Sequence, residues 1–233
     1  MELNQQQTVG SIVAEDYRTA GVFKSFGIDF CCGGKKTIEN ACARKGVEPA
    51  EVIKQLAEIQ GTPSGGGAPR FKTWSTSFLI DYIVNQHHAY TRDKLPEIGA
   101  YLDRVAKVHG NQHPELKVIR EQFMKLRTDL LEHLKFEEDE LFPLINSVEK
   151  GQCEVTDEVR ELLQTMLDDH DEAGKILEKV RGLSSDYTPP VDACATYRIS
   201  YQSLEDLEED IKKHVHLENN ILAPRVKRML ELG

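Results

Sequence analysis

Four apolar stripes at helical spacing run between residues 74 and 230 of this chain, and a histidine interrupts each one. In the first stripe Ile80, Val84, Thr91, Leu95, Ile98, Leu102 and Val105 recur at steps of mostly three and four, with His88 in phase. The second sets Ile119, Phe123, Leu126, Leu130, Leu141, Leu144 and Val148 around His133 and Glu137. In the third, Val159, Leu163, Met166, Ala173, Leu177 and Val180 surround His170, and in the fourth Leu204, Leu207, Ile211, Ile221 and Leu222 surround His214 and Glu218. Such spacing marks one face of an α-helix. It predicts helices over 74–108, 114–149, 156–182 and 190–230, separated by "HGNQHP", "EKGQC" and "GLSSDYTPP". No convincing alternating pattern competes with them, so the fold class is all-α. A four-helix bundle is the natural way to hide four apolar stripes.

The polar residues on those stripes point to chemistry. Residues at i and i+4 lie one turn apart, so His133 with Glu137, and His214 with Glu218, each present an imidazole and a carboxylate inward together. A single core histidine is more often hydrogen-bonded than metal-bound, and a lone His-x-x-x-Glu on a wet helix face is worth a few tenths of a kcal/mol. Six such groups in phase with four stripes are a different matter. Burying carboxylates without compensation costs several kcal/mol each, and a bound dication is the simplest compensation. No cysteine shares these stripes at structural-zinc spacing. Imidazole with carboxylate suits iron, manganese or zinc. Six ligands exceed the need of one ion and suit two, with bridging carboxylates and positions left open for an oxide, water or a diatomic. A di-iron site is the favoured reading.

Other residues are expected to be bland. His87 falls off its stripe beside Lys94 and Glu97, and His216 lies with Lys212, Lys213 and Asn220, so both are expected outside the core. His109 and His113 flank a turn, Glu138 and Glu140 neighbour the site, and Cys42, Cys153 and Cys194 read as small packing side chains.

A Gly-, Pro- and Ser-rich stretch, "QGTPSGGGAPR", divides the bundle (71–233) from a leading segment (1–59) and reads as a linker over 60–70. The leader predicts a small helical domain, with Thr8 and Thr37 at helix starts and Pro49 in a first turn. In its middle loop stand Cys31 and Cys32, followed by Gly33, Gly34, Lys35 and Lys36. Two lysines and a following helix start favour thiolate, so the pair is expected to be accessible and of low pKa. A disulfide between adjacent residues closes a strained ring and is not expected. A formal net charge of −10 argues against nucleic-acid or anionic-membrane partners. No apolar run approaches a membrane span, and the five cysteines fit no even disulfide framework, so a cytoplasmic protein is expected.

The stretches "DYIVNQHHAYTRDKLPEI", "HLKFEEDELFP", "DDHDEAG" and "HVHLENNILAP", preceded by "TVGSIVAEDYRTAGVFKSFGIDFCCGGKKT", resemble the RIC proteins. That family of iron-sulfur cluster repair proteins joins a small domain with a vicinal Cys pair to a hemerythrin-like bundle. Carried over position by position, the resemblance implies His88, His133, His170 and His214 as iron ligands, with Glu137 and Glu218 as carboxylates bridging two iron ions that an oxo or hydroxo group also joins. It implies repair of clusters damaged by nitric oxide or peroxide, with damaged iron-sulfur proteins as partners and nitric oxide or oxygen as small ligands. Direct nitric oxide reduction, which would make the protein an enzyme with an unnamed electron donor, stays open beside iron donation, as does oxygen or iron sensing or storage. Cys31 and Cys32 are candidates for a thiol relay of iron or electrons.

Overall fold

A computed structural model describes residues 3–62, 69–152 and 157–232. Most of the expected linker, and Cys153, lie outside them. Among the described residues all regular structure is helical, with one isolated bridge between Thr8 and Thr37. The elements are α1 (Val9–Glu15), α2 (Ala20–Ser25), α3 (Ile38–Lys45), α4 (Pro49–Gly61), α5 (Thr76–Tyr82), α6 (Ala89–His109), α7 (Glu115–Phe136), α8 (Phe142–Glu149), α9 (Asp157–Leu183), α10 (Ala195–Leu217) and α11 (Ala223–Leu232). Single π-helical segments, Ile83–His88, Glu137–Leu141 and Glu218–Leu222, join α5 to α6, α7 to α8 and α10 to α11. These joined helices, with α9, are the four of the bundle. The chain divides into two compact units: Met1–Ile80 with Lys212–Gly233, and Asp81–Ile211.

The π segments change which residues face inward. Each adds a residue to the turn, so the stripe before it and the stripe after it differ in phase by one position. On the first helix, Ile83 and His87 continue the upstream phase, whereas His88, Thr91 and Leu95 belong to the downstream one, and all five are buried. His87, expected off the stripe, is therefore only 1% exposed, and Ile83 takes the inward place expected of Val84. The same shift puts Phe142 and Ile145 in the core in place of Leu144 and Val148. On α9, which has no such turn, Val159, Leu163, Met166, His170, Ala173, Leu177 and Val180 are buried as predicted.

Within the first unit, Val9, Ile12, Phe23, Ile38, Val52 and Leu56 pack into a small core. Thr37 caps α3 by accepting from Asn40 N at 3.2 Å, and Gly46 ends it with φ 66°. Thr8 stands at the start of α1 but makes no side-chain cap. Residues 214–219 are buried in an unbroken run, as befits a helix covered on every side. One side is covered by the leader. His216, expected at the surface, is fully buried, with the rings of Tyr17 and Phe30 each 5.8 Å from its own. Burial pushes its imidazole down to about 4.

Asn220 completes this packing. Its Nδ2 lies 3.1 Å from Phe30 O, 3.3 Å from Cys31 O and 3.2 Å from His216 Nδ1. Its Oδ1 occupies the space that a Cβ on Gly10 or Gly34 would need, at 2.1 and 2.5 Å. Gly10→Ala or Gly34→Ala would push the amide off both carbonyls. Each is expected to lower unfolding stability by about 1–3 kcal/mol. Gly21→Ala, in α2 with nothing near its new methyl, should be neutral or stabilising by up to about 1 kcal/mol. Chemical denaturation of the three variants checks this.

Candidate metal centre

The larger unit brings together four of the residues singled out by sequence. Glu137, at 0% exposure, opens the π segment after α7 and sits among imidazoles. Its Oε2 is 3.3 Å from His88 Nε2, and its Oε1 is 3.2 Å from His133 Nε2 and 4.0 Å from His170 Nε2. The Nε2 atoms of His133 and His170 face each other at 3.0 Å. All three histidines are buried.

The far sides of two rings fix their tautomers. His88 Nδ1 lies 2.6 Å from Glu138 Oε1, which also accepts from Arg92 Nη1 at 2.8 Å. Glu138 is held below the usual carboxylate range: burial works against this, but the hydrogen bonds from Arg92 and His88 prevail. His133 Nδ1 lies 3.1 Å from Asp169 Oδ2. A carboxylate at Nδ1 makes that nitrogen the donor and turns a lone pair at Nε2 toward Glu137. Metal-ligating histidines are oriented in this way. His87 has a carboxylate partner of its own, Asp210 Oδ1 at 2.9 Å, and stacks edge-on against Tyr82.

Another buried carboxylate supplies the contrast. Glu208 accepts from Arg181 Nη2 at 2.9 Å and from the Tyr187 hydroxyl at 2.6 Å, across a turn in which Ser185, Asp186 and Tyr187 all have positive φ. A guanidinium and a phenol match its charge. Around Glu137 stand three nitrogen atoms with ligand character instead. Converging lone pairs of imidazole and carboxylate fit a divalent transition ion and fit little else.

In the smaller unit His214 and Glu218 form the expected i, i+4 pair, with Nε2 2.9 Å from Oε1 and both side chains buried. Glu218 opens its π segment as Glu137 opens its own.

The thiol loop corrects an expectation. Cys31 is 5% exposed and Cys32 half-buried. The Cys31 thiol is pushed well above its ordinary value, by its contact with Cys32 first, then by burial and by Asp29. These outweigh the lysines and the helix start that argued for a thiolate. Cys42 is buried and Cys194 exposed.

Sequence periodicity could not find Glu138, Asp169 or Asp210, because residues that touch the back of a ring need no place on an apolar stripe. Adjacency to a ligand in "EE" and "DDH" was the signal for Glu138 and Asp169, whereas Asp210 stands beside no ligand in the chain. Asp169→Ala is expected to weaken metal retention about 10- to 100-fold, read as metal left after dialysis against a chelator. Asp168→Ala, whose carboxylate accepts from Gln164, should leave retention unchanged.

Comparison with known proteins gives two family matches. Residues 5–60 match ScdA_N, a domain of unknown function (DUF542), and residues 79–226 match the hemerythrin HHE cation binding domain. The iron-sulfur cluster repair protein ScdA of Staphylococcus haemolyticus is 34% identical over 94% of this chain and 97% of its own. The iron-sulfur cluster repair protein YtfE of Musicola paradisiaca is 33% identical over 96% and 97%. That of Escherichia coli O157:H7 is 31% identical over 95% and 96%.

Proposed function

This chain belongs to the iron-sulfur cluster repair family with a hemerythrin-like domain, and on that premise we propose that it restores damaged clusters by donating iron. His88, His133, Glu137, His170, His214 and Glu218 would hold two iron ions, the histidines supplying imidazole and the two glutamates carboxylate donors. The observation that carries this reading is Glu137: a carboxylate at 0% exposure, faced by three imidazoles, two of them oriented from behind by carboxylates.

When bound, iron at these residues supplies an exchangeable, redox-active metal. The chain's own contribution is to hold the ligands and to set how tightly they hold. Four imidazoles for two ions leave positions open, which favours lability over permanent storage. Glu138 and Asp169 keep His88 and His133 in the ligand tautomer, and Arg92 keeps Glu138 charged. The leader (1–59) acts through Cys31 and Cys32, which relay iron or electrons to the damaged client, and the stretch 60–70 serves as its tether. A cytoplasmic location suits both thiols and clients. No helix among the described residues is long and apolar enough to cross a membrane.

Metal analysis and an optical spectrum of protein made with ample iron test the centre. About two irons per chain are expected, and His133→Ala/Glu137→Ala should lose them. Zinc alone, or no metal, would sink the di-iron reading. Cys31→Ala/Cys32→Ala should retain iron yet lose most repair of a damaged [4Fe–4S] protein. Undiminished repair would remove the thiols from the mechanism.

A further inference from the structure

We propose that Asp29, Cys31 and Cys32 form a second metal site, mononuclear and distinct in chemistry from the histidine–glutamate centre, for a divalent transition ion such as Fe2+ or Zn2+. The inference deepens the reading above and rests on it only for the identity of the ion in the cell.

The geometry is that of a partly assembled site. Donor atoms of the three side chains all lie within 4.8 Å of one another. The two sulfurs are 3.9 Å apart. Around a tetrahedral ion with metal–sulfur bonds of about 2.3 Å, two thiolates stand about 3.8 Å apart, so the pair needs almost no movement. Cys31 Sγ is 3.0 Å from Asp29 Oδ1, a thiol-to-carboxylate hydrogen bond. Replacing that proton by a metal widens the separation by a few tenths of an ångström.

The carboxylate is already aimed. Asp29 Oδ1 accepts from Cys31 N at 2.8 Å and Oδ2 from Gly33 N at 2.7 Å, so backbone donors orient it as hydrogen bonds from behind orient a metal ligand. From the other side Asn220 holds the carbonyls of Phe30 and Cys31. The loop backbone is thus fixed at both ends of the peptide that carries the first sulfur. Gly33 leaves little spare room: a Cβ there would come 3.1 Å from Asp29 Oδ2. Cys31 is buried, while Cys32 is half-buried and Asp29 exposed, so the ion would enter and leave on the Cys32–Asp29 side. Two thiolates suit a borderline ion, and one carboxylate keeps the site from the closed four-sulfur set of structural zinc. Binding releases two thiol protons to solvent and leaves the ion bound by two thiolates and one carboxylate, with no change of oxidation state.

Cobalt(II) added to the full-length, iron-loaded protein without oxygen is the direct test. A sulfur-to-cobalt charge-transfer band should grow to one equivalent, because cobalt bound by imidazole and carboxylate gives none. Cys31→Ser and Cys32→Ser should each abolish it. Asp29→Asn, which keeps an oxygen for Cys31 N, should weaken cobalt binding about 10-fold or more with the iron absorbance and helical circular dichroism unchanged. Glu39→Gln, on the neighbouring helix, should bind as the parent does. Absence of the band in the parent protein, or equal affinity in Asp29→Asn, would overturn the site. Cluster repair measured on the same variants separates the two ideas. Loss of cobalt binding with normal repair leaves the metal site and removes the relay. Repair that needs the thiols, in a protein that binds no cobalt through sulfur, does the reverse.

Discussion

A carboxylate shut away from water among imidazoles is the constraint on which the rest of this molecule turns. Glu137 is fully buried, on a helix whose Leu130, Leu134, Leu141 and Phe142 are buried too, and there an unmatched charge costs several kcal/mol. The buried Glu208 is matched in the ordinary way, by Arg181 and Tyr187. Glu137 is faced instead by ring nitrogens of His88, His133 and His170. Such an arrangement stores its stabilisation in the ion it is built to receive, so folding and metal binding are linked in the larger unit.

The π segments follow from the same need. An α-helix with a 3.6-residue repeat offers one inward position per turn, and a ligand set competes with the apolar side chains for it. A π turn relieves the competition by bringing two consecutive residues inward: His87 with His88, Leu141 with Phe142, Ile221 with Leu222. Ligand and core packing are then served at the same level. Three of the four bundle helices use the device, and in each a proposed ligand opens or closes the segment.

This explains what could be read from the sequence. The all-α class and the six inward His and Glu positions were legible because apolar periodicity reports the inward face directly, and α9 followed it along its whole length. Val84, Leu144 and Val148 were misplaced because a one-residue insertion in the turn leaves no mark in composition. His87 was missed for the same reason. His216 was missed for a different one. Its helix is covered on the side away from the apolar stripe by Tyr17 and Phe30, almost two hundred residues earlier in the chain. The thiol loop failed on electrostatics: nearby lysines were visible in sequence, whereas the burial of Cys31 and its contacts with Cys32 and Asp29 were not.

Within the smaller unit one side chain ties the two chemistries together. Asn220 lies two residues past Glu218 in the same π segment, and its amide holds the backbone of Phe30 and Cys31. Glu218 and the backbone of the thiol loop are thus joined through one π segment. The imidazole–carboxylate donors and the thiolate–carboxylate donors proposed above differ in softness. Ions partition between such sites by oxidation state and type as much as by affinity. If iron passes from such a centre to a sulfur-rich client, as proposed, an intermediate donor set that resembles the client's own ligands would lower the difference in affinity at each transfer. The vicinal cysteines, set in a loop shaped by Asp29 and Asn220, are where we propose that this chain supplies one.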